Sequence, residues 1–420
     1  RLSLKLGSFK RKLALDLARL APAFSDAGTV FDSLTGTWID QHATDRFYLS
    51  PLLSNFATKN LCDTEQKEVH HAISASLTQG NVFDGSEVNA AMFSAWVAGN
   101  EDALLKLCLM IFGADQDDLE AMAPHIESLT LMRTDQAAYS GDPAVSHMLR
   151  GAQLLLASQQ TESSLKFWDI HERFKLEGQA VQPVQRRTSL DLMIYAKLLL
   201  VTPRQSLGAK FTELVVKLNA LLSDNELPDE IRENFIKQEM EGVTVAGFMF
   251  LNQCRGLKTL DDLEGVFGFL HQSSPDFRDT LLKAYRHNDF EIDMLVSAAW
   301  LAEHEADTID AKVHAPLFQR LEEMAISWGY VDLAVCCCKY HSTILNEYGS
   351  DKQGALDVIE RGLTEYGETN SELVREKAKV LFLSGDHAAS LSVANILVEN
   401  EASLNPVEKA FFGRQAAISA

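Results

Sequence analysis

The sequence predicts an all-α protein, with a small module of short helices and one hairpin at the start and an α-helical repeat solenoid after it. Only ten prolines and 23 glycines occur in 420 residues, which leaves little material for long loops or many tight β-turns. Apolar residues recur at helical spacing through most of the chain. Short breaks that carry Gly, Asn, Asp or Pro separate these segments, as expected between antiparallel neighbouring helices.

Two short helices are predicted in the first part of the chain. Residues 9–20, FKRKLALDLARL, place three leucines on one helix face. Ser25 or Asp26 can cap a second helix that runs to Leu34. Gly36 is then expected to end that helix.

A small hairpin is predicted next. Residues 37–41 and 46–50 are rich in β-branched and aromatic residues, and the polar stretch HATD separates them. Pro51 suits the first turn of a following helix, LLSNFATKNL, because the missing N–H of proline costs nothing there. Helix, helix, two-stranded wing and helix is the order of a winged-helix module, which we place at residues 1–62.

This stretch also resembles a known family. The run from Phe31 to Asn55, followed by the downstream pattern L…E…V-H-H-A-I-S, is similar to the winged-helix end of STAND-type ATPases, the NACHT and NB-ARC relatives. In that family an ATPase core precedes the winged helix, and helical repeats follow it. The residues that carry the resemblance are Leu34, Trp38, Arg46, Phe47, Leu49, Ser50, Pro51, Leu52 and Leu53, with His70 and His71 downstream.

The resemblance covers about 75 residues of this chain and does not include the ATPase half. No G-x-x-x-x-G-K-[S/T] motif is present, since the nearest match, Gly349 to Gly354, is followed by Ala355 in place of Lys. We therefore expect the chain to be a piece of a longer protein, with any ATP hydrolysis outside it. Within these residues we expect no enzyme activity and no cofactor.

Residues 63–310 are predicted as a helical spacer or as irregular helical repeats. Amphipathic segments follow one another with loops of a few residues, which is typical of stacked antiparallel helices. The predicted helices, including the first of the next region, are 63–79, 86–97, 100–112, 116–128, 143–158, 162–177, 188–201, 206–222, 228–238, 242–254, 259–271, 275–285, 289–303 and 311–328.

Residues 311–420 show the clearest repeat pattern. SGDHAASL, from Ser384 to Leu391, resembles the turn and the small residues between the two helices of a tetratricopeptide repeat. SDKQGAL, from Ser350, offers a similar turn 35 residues earlier, so that Ala355 matches Ser390. Asn405 and Pro406 are expected to begin a further repeat. Small residues at these offsets let paired helices approach closely.

The partner surface of such a solenoid is expected on inner helix faces. Tyr330, Tyr340, Tyr348 and Arg375 are the candidate partner-binding residues for a protein or other ligand. Other large aromatic residues are most simply predicted to be core: Trp96, Trp168, Phe248, Phe250, Trp300 and Trp328.

Metal and catalytic sites are not indicated. His70 and His71 are adjacent, so on a helix they point about 100° apart. Cys336, Cys337 and Cys338 fan around a helix in the same way. With the other cysteines they are expected to be reduced, buried thiols of a cytoplasmic protein. Acidic pairs are expected at helix starts or on solvated faces, at Asp117–Asp118, Asp261–Asp262 and Glu322–Glu323.

Charge argues against nucleic acid as a partner. The net charge is −21, from 59 acidic and 38 basic residues, and phosphate contacts need clustered Lys and Arg. The predicted reading helix from Asp26 to Leu34 contains no Lys or Arg. A local basic exception lies at the start, in the residues Arg1, Lys5, Lys10, Arg11, Lys12 and Arg19. No apolar run is long enough to span a membrane.

The resemblance implies a regulatory and sensor region, in which the repeats recognise a protein or other ligand and the winged helix restrains an upstream nucleotide-binding core. Two other functions stay open. One is a stand-alone helical-repeat scaffold. The other is a transcription regulator whose winged helix binds DNA and whose repeats bind an inducer.

Overall fold

The computed structural model describes residues 1–5, 7–79, 85–160, 164–202, 207–236, 243–286 and 294–399. The chain divides into two compact units, one of residues 1–206 with 217–232 and the other of residues 207–216 with 233–420. Helices dominate the described residues of both units, and their single sheet is an antiparallel hairpin. The predicted all-α class with repeat-like helix packing is confirmed.

In the first unit the elements are α1 Arg11–Ala18, α2 Ala27–Leu34, β1 Ile39–Ala43, β2 Arg46–Leu49, α3 Phe56–Asn60, α4 Asp63–Leu77, α5 Gly85–Ala98, α6 Glu101–Gly113, α7 Gln116–Met122, α8 Glu127–Thr130, α9 Pro143–Ser158, α10 Ser164–Gly178, α11 Val184–Val201 and α13 Asp229–Ile236, whose last residues belong to the other unit. Helix α12, Phe211–Leu222, begins in the second unit and ends in the first.

The second unit contains α14 Val245–Cys254, α15 Leu260–Gln272, α16 Pro275–Arg286, α17 Met294–Glu305, α18 Ala311–Ser327, α19 Val331–Glu347, α20 Lys352–Tyr366, α21 Ser371–Leu383 and α22 His387–Glu399. Short 3-10 helices occupy Leu2–Leu4, Pro51–Leu53, Ala123–His125 and Gly208–Lys210. None of the described helices combines the length and the apolar character that a membrane crossing requires.

Most predicted helices are present within a few residues of their expected bounds, but two are interrupted. The segment predicted as one helix over 116–128 is split by a 3-10 turn that contains Pro124, because proline cannot donate a helical hydrogen bond. The helix predicted to start at Pro51 is instead a 3-10 turn followed by the short α3. The predicted repeat at Asn405 and Pro406 lies outside the described residues.

The N-terminal module, residues 1–62, has one apolar core. Phe9 is extended and pairs with Phe47 of β2 through two N–H···O bonds of 2.9 Å. Phe31 of α2 meets the Phe47 ring edge-on at 5.1 Å. Helix α4 adds Val69 and Ile73 to the same core, so the packing continues past the boundary predicted at residue 62.

A buried ion network fixes the loop before α9. The fully buried Arg150 of α9 donates through Nη2 to Glu177 of α10 at 2.9 Å, and also to the carbonyls of Arg133 and Gln136. Ser146 donates to the same carboxylate at 2.7 Å. Glu177 also pairs with Arg173 at 3.0 Å, so removal of Arg150 would not leave the carboxylate unpaired. Removal of Glu177, however, would leave the buried Arg150 charge without a carboxylate, which is strongly destabilising.

The C-terminal array, residues 311–399, has the packing of a helical repeat. Helix α19 contacts both α20 and α21. Polar pairs link α19 to α21 at matching steps, with Lys339–Glu372 at 3.0 Å and Thr343–Glu376 at 2.8 Å, both 33 residues apart. The two helices therefore run in the same direction with a one-repeat offset. The predicted Gly-Asp turn before α22 is present, with Gly385 at φ +83°.

The position of Glu322 shows that one prediction is wrong. It was expected on a solvated helix face or at a helix start, but it lies inside α18 with 1% of its surface exposed. Both Arg361 Nη atoms of α20 donate to it at 2.8 Å, and the Tyr366 hydroxyl donates at 2.6 Å. This carboxylate holds α18 to α20, and it raises the pKa of Arg361 by hydrogen bonding.

Candidate functional site: an apolar groove in the N-terminal module

An open groove of about 600 Å³ lies on the N-terminal module. Its walls come from α1, α2, the hairpin, the 3-10 turn before α3, and α3 itself. The lining is predominantly apolar, and its charged members are Arg1 and Glu65. A concave apolar surface with a few polar groups is the usual form of a binding site.

The floor of the groove is part of the module core. Ala14 and Leu17 of α1, Phe31 of α2 and Ile39 of β1 are buried there. Residues four positions apart share one face of a helix, so Ala14 and Ala18 of α1 both line the groove. The floor is therefore rigid, since displacing it would disturb the core.

Arg1 positions one side of the rim. Its guanidinium donates to four carbonyls at the end of α1, those of Leu17, Leu20, Ala21 and Pro22, at 2.9 to 3.1 Å. These bonds satisfy oxygens that a helix end leaves unpaired. The same guanidinium lies 6.0 Å from the ring centroid of Phe24, which is 55% exposed. Phe24 is thus presented to solvent on an anchored loop.

Trp38 and Phe56 form other parts of the rim. Gly36, at φ +88°, allows the turn between α2 and β1, and the Trp38 N–H bonds the Leu34 carbonyl at 2.9 Å. Phe56 begins α3, and the N–H of the next residue, Ala57, donates to the Ser3 hydroxyl at 2.8 Å. Trp38 is 39% exposed and Phe56 is 59% exposed.

Exposed aromatic rings around a concave apolar floor mark a surface for contact with another molecule. Glu65 does not change that character, because its carboxylate accepts the Cys62 N–H at 2.8 Å and completes a capping box at the start of α4. This hydrogen bond lowers the pKa of Glu65, so the side chain is a charged cap at neutral pH.

The predicted partner residues lie on or beside helices of the C-terminal array. Tyr340 and Tyr348 of the array both pack on Trp300, with ring centroids at 4.8 Å and 6.1 Å. Tyr330 is only 5% exposed and donates to Asp279 at 3.1 Å. Arg375 is half-buried on α21. Their role in partner binding stays a prediction.

Two residues predicted to be core are not. Trp96 is 46% exposed, with its indole N–H bonded to the Ala138 carbonyl at 3.2 Å, and Phe248 is 44% exposed. Trp300 and Phe250 are buried as predicted.

Cys62 is exposed, which contradicts the prediction that the cysteines are buried, whereas the other five cysteines are buried as predicted. His147 bonds Asp191 at 2.8 Å and stacks on Phe174, and its Nδ1 has no hydrogen-bond partner among the described residues. Burial raises the pKa of Cys338 to about 12, which keeps the thiol protonated. No group of three or more metal-ligating side chains occurs in the described ranges.

The groove was not found from the sequence. Apolar spacing identified α1 and the hairpin, but the rim depends on where Phe24, in a loop, and Phe56, at the start of α3, point after folding. The residues of the family resemblance include four that line the groove, Leu34, Trp38, Leu49 and Leu53. Leu52, the residue before Leu53, is 85% exposed.

Comparison of the chain with protein-family models, with curated proteins and with solved structures gives no match.

Proposed function

We propose that the chain is a non-catalytic regulatory region that binds other polypeptides, and that the groove of the N-terminal module is its principal contact surface. The observation that carries the proposal is the anchored rim of exposed aromatic side chains, Phe24, Trp38 and Phe56, over a rigid apolar floor. Exposed aromatic rings cost free energy in water unless a partner covers them.

The family resemblance gives this surface a specific role. A winged helix is supported by the order of α1, α2 and hairpin, and by the extended Phe9 that pairs with β2. In a STAND-type ATPase the equivalent module would rest against the nucleotide-binding core and restrain it. ATP hydrolysis would belong to that core, and release of the groove would favour the active state.

The C-terminal array would then be the sensor. Its parallel offset of α19 and α21 is the packing from which repeat proteins build extended binding surfaces. Tyr340, Tyr348 and Arg375 remain its candidate ligand contacts. Binding there would shift the restraint only if the ligand has different affinities for the restrained and released states.

A transcription factor role has less support. Helix α2, the candidate reading helix, carries no basic residue, and Arg11 of α1 is paired with its Asp32 at 2.8 Å. A helix in the major groove normally supplies cations to phosphates and bases.

The test uses the full protein as it is encoded. If a P-loop segment precedes these residues, Phe24→Asp is expected to raise basal ATPase activity about fivefold or more, which corresponds to about 1 kcal/mol of lost restraint. Leu131→Asp is the matched control, because Leu131 is 72% exposed and does not line the groove.

Two results would contradict the proposal. An encoded protein without a nucleotide-binding core would remove the ATPase role and favour the stand-alone scaffold. Equal activities of Phe24→Asp, Leu131→Asp and the unchanged protein would show that the groove exerts no restraint.

A further inference from the structure

The charged groups that line the groove are already used inside the N-terminal module. Arg1 and Glu65, which are of opposite sign, both line it. The Arg1 guanidinium donates to four carbonyls at the end of α1, and the Glu65 carboxylate caps α4. The Ser3 hydroxyl accepts the Ala57 N–H at 2.8 Å. The lining therefore presents no net charge, and charge complementarity favours an occupant whose buried part is uncharged.

The size of the groove suits a small molecule. Its volume is about 600 Å³, which lies within the roughly 300–1,000 Å³ of typical ligand sites. Such sites normally orient a ligand through a few polar groups, whereas here the charged groups and the hydroxyl of the lining make hydrogen bonds within the module. The remaining lining residues are aliphatic or aromatic. The lining therefore matches a ligand whose buried part is apolar and needs no polar anchor.

We infer that the groove binds the alkyl chain of a free single-chain amphiphile, of the fatty acid or alkyl ether class, and leaves the head group in water at the open side. Burial of methylene groups provides the affinity, and the head group contributes little. An occupied groove would be closed to a polypeptide, so the ligand would also regulate the contact surface. That consequence rests on the proposed function, whereas the binding itself does not.

A free amphiphile suits this concave surface better than a lipid bilayer does. Apolar surface lies at the floor, where Phe31 and Ile39 are buried, as well as at the rim, where Phe24 and Phe56 are 55% and 59% exposed. Insertion into a bilayer uses an apolar face that the protein presents outward, and it would leave the floor of a groove uncovered. A single alkyl chain can contact both the floor and the rim.

The test measures the binding of monomeric octyl, decyl and dodecyl amphiphiles to the full protein as it is encoded, by isothermal titration calorimetry. Each chain carries a carboxylate, a trimethylammonium or an uncharged glucoside head group. We expect saturable binding of one dodecyl molecule per protein chain, at least about tenfold tighter than that of the octyl molecule, because more methylene groups are buried. At equal chain length the three head groups should differ by less than about threefold in affinity, and raised salt should change the affinities little.

Two groove variants and two matched controls locate the ligand. Val30→Asp places a carboxylate on the groove wall and Ala18→Trp fills part of the groove, so each is expected to weaken dodecyl binding about tenfold. The controls Val313→Asp and Ala302→Trp alter residues outside the groove and should leave binding unchanged. Val30 and Val313 are 39% and 56% exposed, so neither aspartate enters the core. Ala18 and Ala302 are both half-buried.

Four results would overturn the inference: no saturable binding of dodecyl amphiphiles, affinities that follow the charge of the head group, equal losses in the groove variants and the controls, or binding to neutral lipid vesicles in place of monomeric amphiphiles. The proposed function fails separately. If dodecyl glucoside binds and Phe24→Asp leaves ATPase activity unchanged, the restraint is wrong and the alkyl site stands. If Phe24→Asp raises ATPase activity and no amphiphile binds, the restraint stands and the alkyl site is wrong.

Discussion

The N-terminal module and the C-terminal array use aromatic side chains in opposite ways. In the module, Trp38 and Phe56 are 39% and 59% exposed around a groove. In the array and the helix before it, Trp300 is 7% exposed and is covered by Phe318, Tyr340 and Tyr348. Aromatic rings of the array hold helices together, whereas those of the module rim keep a large part of their surface exposed.

Charged side chains differ in the same way. In the array, Glu322 binds Arg361 and Tyr366, and Lys339 binds Glu372, so charges connect neighbouring helices. In the module, Lys10 and Lys59 are exposed. The array is therefore built mainly for internal packing, and the module presents the surface that a partner could cover. The predictions below test that difference.

Loss of Glu322 should be the largest effect in the array. Glu322→Ala leaves Arg361 and Tyr366 without their shared acceptor, and we expect a loss of about 2 kcal/mol in the free energy of unfolding of the second unit. Part of the guanidinium is exposed and can bind water, which limits the loss. Native-state hydrogen exchange of the α19 amides measures it. The neighbouring Glu323→Ala is the control, because Glu323 is exposed; equal effects of the two variants would contradict this role.

Close packing of α20 on α19 predicts the second effect. A Cβ at Gly362 would lie 2.7 Å from Cys338 Sγ and 3.0 Å from Leu373 Cδ1. Gly362→Ala should destabilise the array by about 1 kcal/mol, although alanine favours helix. Gly268→Ala in α15 meets no atom within 4 Å and should stabilise by about 0.5–1 kcal/mol. Urea unfolding should show a lower free energy of unfolding for Gly362→Ala and a higher one for Gly268→Ala. Changes of the same sign in both variants would contradict this packing.

Acid should weaken the array through His341. Burial lowers the pKa of His341 below its usual 6.5, so the unfolded chain binds the proton first as the pH falls through 6.5. Stability is then lost below that pH, at about 1.4 kcal/mol for each pKa unit of difference. Burial raises the pKa of Glu376, which acts in the opposite sense.

The free energy of unfolding is measured for the unchanged protein and for His341→Gln between pH 7 and 5. The comparison separates the contribution of His341 from that of Glu376. The histidine contribution is the part of the slope that His341→Gln removes. An unchanged slope would contradict it.

The rim of the groove should contribute least to stability. Phe56→Ser replaces a side chain that is mostly exposed, and we expect a change below about 0.5 kcal/mol in the free energy of unfolding. Phe31→Ala, in the floor, should instead cost about 3 kcal/mol because it opens a cavity beside Phe47. Thermal unfolding compares them. Similar losses for both variants would mean that the rim is part of the core.

Local chemistry made the helices predictable. Helix α9 begins at Pro143 and ends at Ser158, as its proline and apolar spacing indicate. Asp26 caps α2 by accepting the Thr29 N–H, as expected for a short polar side chain at that position.

Contacts between distant positions were not predictable in the same way. Glu322 and Arg361 are 39 residues apart, and no spacing rule of a single helix pairs them. The groove was missed for the same reason, because exposure of Phe24 depends on the bonds that Arg1 makes to the end of α1. Trp96 and Phe248 were predicted to be buried from residue type alone, but both side chains are exposed.

Hydrogen–deuterium exchange of the full protein as it is encoded, compared between the unchanged protein and Phe24→Asp, tests the central claim most directly. Because the groove is the proposed contact surface, we expect faster exchange in the α1 and α3 segments and in the hairpin of the variant, and unchanged exchange in α18 to α21. Faster exchange in the array, with none around the groove, would contradict the assignment of the N-terminal module as the contact surface.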